Sequence, residues 1–248
     1  MVSLKGVFPI EPQNLDTIGP LARDVDGLVK GMDLLQEGFA AQYRAAVAAN
    51  SRPRQLKIGR LYLSGTDPKI DEAVDAALKA ASFNVVVLHP SFESKWNQAD
   101  ADAKTVAATG AWLYDLQFSG SSEVNATTKA IFLLGKIRYP NAYQEALKRK
   151  PAWQSCLRDI LKRVDFVALP TLKALPPKLS GGGSPAAEAK VAAMQNTAAV
   201  NLAGNPALAL PIPINDKEIP VTSIELVGRP FKEAELLNAG RLLQHKSP

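Results

Sequence analysis

Apolar side chains recur along this chain in two alternating periods, and each period predicts a different element. Leu21, Val25, Leu28, Val29, Met32 and Leu35 fall three and four apart, which predicts an amphipathic helix over 21–37. After a polar stretch at 50–54, residues 56–62 (Leu-Lys-Ile-Gly-Arg-Leu-Tyr) alternate and predict a strand. Asp67-Pro68 then marks a helix start, since a short acceptor caps the first turn and proline pre-sets it. Ile70, Val74, Ala77, Leu78 and Ala81 continue that helix on one face. Val85-Val86-Val87-Leu88 is a continuous apolar run, predicting a parallel strand covered on both sides. Strand, helix and strand in so short a stretch make a βαβ unit.

Residues 100–163 read as mostly helical, broken at Gly120, Pro140 and Pro151. Pro151 is expected to open a new helix, because an interior proline costs about 3 kcal/mol. A strand over 164–169 is stopped by Pro170, and Pro176, Pro177 and Gly181–Gly183 form a loop. A helix over 186–202, strands near 206–212 and 220–228 around the turn 215–217, and a closing helix over 231–245 complete the map. This is an α/β fold with a mixed β-sheet flanked by helices. No internal repeat or heptad run interrupts it.

Composition narrows the chemistry. The 29 basic and 24 acidic side chains leave a net charge of +5, too dilute for a nucleic-acid binder. No run approaches the ~20 apolar residues of a membrane span, so neither nucleic acid nor membrane is an expected partner. The single cysteine, Cys156, is read as a small buried apolar group, and it excludes a disulfide scaffold. His89 and His245 lie too far apart in sequence to suggest a metal site. His89 is read as a capping or solvent residue after a strand, and His245 as a cation favoured by the last helical turn. The first twelve residues show neither basic head nor long apolar run, so a cytoplasmic protein without signal peptide is expected. Ser64-Gly65-Thr66-Asp67 has one glycine after the 56–62 strand, which argues against a phosphate loop.

Three segments carry a family pattern. Val2-Ser3-Leu4-Lys5-Gly6 through Leu15-Asp16-Thr17-Ile18-Gly19-Pro20-Leu21-Ala22-Arg23 is similar to "GRVS…G…SLDTxGPxAR". Residues 164–171 are similar to a "DVLLxPT" strand. Residues 201–208 (Asn-Leu-Ala-Gly-Asn-Pro-Ala-Leu) and 224–231 (Ile-Glu-Leu-Val-Gly-Arg-Pro-Phe) resemble "NLAGxPAxxxP…P…xQLVGRPFxE". Together they resemble the amidase signature family of serine amidohydrolases, in order and over essentially the whole chain. The resemblance implies hydrolysis of a carboxamide to a carboxylate and ammonia or amine, without metal or cofactor.

It also implies a Ser–cis-Ser–Lys triad, in which a neutral lysine acts through one serine to deprotonate another. In the family that block precedes "GRVS", whereas this sequence reads Met1-Val2-Ser3 at its start. The expectation is therefore a partial amidase domain over 1–248, its carboxyl-terminal portion, inactive alone. Its parts are a leading turn and helix (1–55), a βαβ unit with helical insertion (56–170), and a loop, helix, late strands and closing helix (171–248). Ser119–Ser122 and Ser180–Ser184 lack the family's context and are read as a capping turn and a loop.

Asp16 and Thr17 are the candidate substrate-binding residues; the competing reading has them bonding the turn at Gly19-Pro20. Asn201 and Gly204 are expected to shape a helix-to-strand turn. Arg229 is expected to tie a corner to a carboxylate or carbonyl, and Arg23 to make a surface or sheet-edge ion pair. Trp96, Trp112 and Trp153 read as packing residues, and Lys148-Arg149-Lys150 as a solvated helix end. The partners left open are a small-molecule amide in the intact enzyme, a second copy, or a separate polypeptide carrying the catalytic half. A non-catalytic module assembled with such a polypeptide is the second reading; a small-ligand domain built on the βαβ unit is a third.

Overall fold

The computed structural model describes residues 2–177 and 193–244. Five strands form one mixed sheet: β1 (Lys57–Arg60), β2 (Asn84–Val87), β3 (Phe166–Pro170), β4 (Ala207–Pro213) and β5 (Val221–Val227), in the order β2-β1-β3-β5-β4. β2, β1 and β3 run parallel, whereas β5 pairs antiparallel with both β3 and β4. The late strands make the sheet mixed because a short turn joins β4 to β5, and such a connection allows only an antiparallel pair.

Helices cover both faces. On one, α1 (Val25–Leu35), α2 (Phe39–Ala49), α3 (Pro68–Ala80) and α8 (Glu233–Gln244) pack over Ile58, Phe166, Leu208, Leu210, Ile212, Ile224 and Leu226. On the other, α4 (Ser91–Asp115), α6 (Asn141–Leu161) and α7 (Ala198–Ala203) bury Val167, Leu169 and Val227. α5 (Ala126–Arg138) packs outside against α4. Phe92, Trp96 and Trp153 meet in the second core, with 5.6 Å between the two indole centroids, so those tryptophans are packing residues.

Local chemistry sets several boundaries as expected. Asp67 caps α3 by accepting the Lys69 N–H at 2.9 Å, with Pro68 in the first turn. Gly204 ends α7 with φ +75°, a left-handed conformation that glycine adopts without a Cβ penalty. Arg229 donates to the Leu161 carbonyl at 2.9 Å and lies 3.6 Å from Asp165, tying the corner after β5 to the end of α6.

Elsewhere tertiary context overrides the pattern. α1 starts at Val25, where Asp24 caps the Gly27 N–H, so Leu21 lies before it and is fully exposed. α2 has no counterpart in the predicted map, since only Phe39 and Tyr43 along it are buried and the pattern is faint. Pro151 opens no helix. It sits inside the continuous α6, whose buried Ala146, Trp153, Leu157, Ile160 and Leu161 hold one face together on both sides of the missing N–H. β2 is parallel but not covered: it forms one edge of the sheet, and all four of its residues are exposed. The expected 186–202 helix lies partly outside the described residues, and within them it is broken before α7. There Gln195 bridges to Leu172, and Asn196 bonds both the Thr171 and Pro170 carbonyls. His245 and Ser180–Ser184 lie outside the described residues.

Candidate functional site

Residues 2–24, the stretch carrying "SLDTxGPxAR", have no regular secondary structure, so their position depends on side-chain bonds and close packing. The Asp16 carboxylate accepts the backbone N–H groups of Ile10 (2.8 Å) and Glu11 (3.1 Å). Asp16 therefore does tie a turn, but the one upstream of it rather than Gly19-Pro20. Glu11 is almost wholly buried; its carboxylate accepts from Asn14 Nδ2 at 2.9 Å and from the Tyr143 hydroxyl at 3.3 Å. Lys150 Nζ then donates to both the backbone and side-chain oxygens of Asn14.

Tyr143 and Lys150 lie seven residues apart on α6, two turns along one face, which places both under the segment. That spacing is visible in the sequence, but without its partner segment it carries no signal. Burial, with the Glu11 carboxylate next in importance, pushes the Tyr143 hydroxyl up to about 12, so it stays a donor. Burial also lowers Lys150, whereas the Glu11 charge opposes that shift. Lys150 donates to two oxygens of one residue, Asn14, an arrangement that anchors the leading segment to α6. Asp115, at the end of α4, has one buried carboxylate oxygen without a partner among the described residues; burial, and then the Asp16 charge, raise it.

The same geometry corrects the reading of Lys148-Arg149-Lys150. These residues lie in the middle of α6, not at its end. Lys148 is solvated beside Glu145, but Arg149 holds the buried Asp102 through two bonds of 2.9 and 2.6 Å, and Lys150 is the anchor just described. Thr17 is exposed and Asp16 half-buried, so the knot presents this dipeptide at the surface.

Gly110 on α4 fits this packing because it lacks a Cβ. A methyl there would crowd the Ile10 carbonyl oxygen, well inside van der Waals contact. Gly110→Ala is expected to lift the leading segment, since overpacking of this kind costs roughly 1–3 kcal/mol. Protease cleavage within residues 2–24 should then speed up about tenfold or more, one factor of ten per 1.4 kcal/mol. Unchanged cleavage would show that the segment is held elsewhere.

The remaining sequence candidates are local structures. His89, exposed, faces Ser91 through Nδ1 at 2.8 Å and also accepts the Ser91 N–H, which makes it a cap at the start of α4. Nearby, Ser64, Pro90, Glu93, Ser94 and Asn97 line an open depression past the carboxyl ends of β1 and β2. Glu93 is occupied there by the Ser64 N–H, which lowers its carboxyl. Ser121 accepts the Glu123 N–H in a local turn, but the helix that follows is capped by Asn125, which accepts the Thr128 N–H, rather than by the serines. Cys156 is partly buried, and burial raises its thiol. Arg23 is exposed just ahead of α1. Among the described residues, no three His, Cys, Asp or Glu side chains group as metal ligands, and no helix is long and apolar enough to cross a membrane.

The family model for amidases matches residues 1–237, from the anchored leading segment through β5 and into α8. The chain belongs to the amidase family. It is 29% identical over 252 residues to a 2-amino-5-chloromuconic acid deaminase of Comamonas testosteroni, covering 94% of this chain and 52% of the deaminase. It is 22% identical to a glutamyl-tRNA(Gln) amidotransferase subunit of Halobacterium salinarum, covering 93% of this chain and 63% of that protein. Among solved structures, a component of a vestigial complex linked to the origins of an s-triazine catabolic enzyme superposes with TM-score 0.76 at 20% identity. That match covers 98% of this chain and 56% of the other. The chain thus spans between half and two thirds of the length of these relatives.

Proposed function

We propose that these 248 residues are the carboxyl-terminal portion of an amidase-type domain that hydrolyses carboxamides to carboxylates and ammonia or amine. The observation that carries the reading is the family match over nearly the whole chain, combined with coverage of only about half of the deaminase. In this reading the serine pair and the lysine come from polypeptide outside these residues. The chain contributes its five-stranded mixed part of the sheet, the α4–α6 wall and the anchored leading segment. Asp16 and Thr17 then face the acyl side of the substrate, held there by the Glu11–Tyr143–Lys150 knot. The reaction needs no metal or cofactor, because the nucleophile is a serine activated by a lysine.

A second reading, a non-catalytic module assembled with a separate catalytic polypeptide, is favoured by the relatives' names. Those relatives include a member of a complex and an amidotransferase subunit. Both readings expect the purified chain to release no ammonia from simple aliphatic and aromatic amides. Turnover abolished by a serine-directed reagent would overturn both. Restoration of turnover by a co-expressed amidase fragment bearing the serine/glycine-rich block would support the first, provided Asp16→Ala and Thr17→Ala raise KM in the restored enzyme.

A further inference from the structure

The sheet ends in β4 on one side and in β2 on the other, and only β4 carries prolines. The bonds from Gly228 to the Pro206 carbonyl and from Ile214 to the Pro220 carbonyl fix which β4 residues face β5. Pro211 and Pro213 fall on the side turned away, where they have no N–H to offer an added strand.

The β2 edge keeps its donors. The Asn84 N–H bonds the Leu56 carbonyl at 3.1 Å and the Leu88 N–H bonds the Arg60 carbonyl at 2.9 Å. Parallel pairing alternates, so 84, 86 and 88 face β1, and the N–H and C=O groups of Val85 and Val87 point away from the sheet. The side chains of Val85, Val86 and Val87 are all exposed.

This edge is complementary to itself. If two copies of β2 run antiparallel about a two-fold axis through Val86, Val85 of each stands opposite Val87 of the other. Both of those residues turn their backbone outward, so each such pair exchanges two N–H···O bonds and every outward group from Val85 to Val87 is satisfied. The two Val86 residues meet on the axis as a non-bonded pair, with their Cα atoms about 4.5 Å apart. Charge permits the contact as well. Residues 81–92 contain no Asp, Glu, Lys or Arg, so identical edges meet without the like-charge repulsion that opposes most self-pairing.

We propose that β2 pairs with the β2 of a second copy of this chain, joining two five-stranded sheets into one across a two-fold axis at Val86. The inference stands apart from the half-domain reading, because it concerns only these residues. A seam this short makes a weak, reversible dimer.

Sedimentation equilibrium of the purified chain over a wide concentration range should show a monomer–dimer equilibrium. Val85→Lys keeps every backbone group but sets a charge on the seam, and it should raise the dissociation constant about tenfold or more. Val87→Pro, which deletes an outward N–H and leaves the β1 ladder its bonds, should act in the same direction. Circular dichroism of each variant reports whether the fold is kept. The axis has its own test, which needs no destabilised variant. The separation expected at Val86 suits a disulfide, so Val86→Cys in a Cys156→Ser background should form a covalent dimer under mild oxidation. Leu133→Cys in the same background, on the exposed side of α5, should stay largely monomeric. A wild type that is monomeric at every concentration would overturn the proposal. So would a dimer that persists in both folded β2 variants, since its interface would then lie elsewhere, or cross-linking that is no faster at Val86→Cys than at Leu133→Cys.

Discussion

Glu225→Gln is expected to make the protein more stable at neutral and alkaline pH, and to flatten a pH dependence that the wild type should show. Glu225 lies on β5 between Leu169 and Ala209, 2% exposed, and among the described residues its Oε2 has no hydrogen-bond partner. Burial alone pushes its carboxyl up to about 8. Unfolded, the same group ionises near 4.5. Above that value folding must take up a proton, so the contribution of Glu225 is fully present below about 4.5 and is lost as pH rises to about 8. The slope across that window is about 1.4 kcal/mol per pH unit for one proton, which sums to several kcal/mol. Glutamine keeps the shape and is neutral throughout. It is also the residue in the family pattern "xQLVGRPF" at this place. Denaturant melts at about pH 5, 6.5 and 8 should show wild-type stability falling and the variant level with pH. Parallel curves would mean that Glu225 is ionised in the fold with a partner supplied by relaxation.

The second large effect is expected at Arg60, and it is asymmetric. Arg60 is fully buried at the end of β1, where its guanidinium meets Asp71 and Asp75 on α3, the Leu61 carbonyl and the face of Tyr62 at 4.0 Å. The two carboxylates are partly exposed, 23% and 43%. Replacing both aspartates by alanine strands a buried cation, which costs about 3–5 kcal/mol when a charge loses its partners. Arg60→Met should cost much less, because methionine fills similar space and the freed carboxylates turn to water. Chemical denaturation of the two variants separates the effects, and equal losses would show that packing rather than charge dominates this corner.

Most elements are legible in the sequence because their signals are local. The α3 cap needs only Asp67 and Pro68, and the turn after α7 needs only Gly204. Pro151 misleads for the opposite reason: its cost is local but the compensation, five buried residues along one face of α6, is not. The site divides in the same way. Asp16 stands out as part of a motif. Glu11 and Asn14, however, meet Tyr143 and Lys150 across separations of 132 and 136 residues, and no spacing rule connects them. Asp115 joins from a third segment, the end of α4.

The amino-acid order by itself determined the alternation of strands and helices, the mixed sheet and the family, since periodicity, caps and motifs act over one or two turns of chain. Only the tertiary structure decided which apolar runs are covered. Val85–Val87 and Val167–Leu169 are alike as sequence, but β2 ends the sheet whereas β3 lies between two neighbours. Burial is a property of what stands next to a strand, and for Glu225 and Arg60, as for those valines, the neighbours set the chemistry.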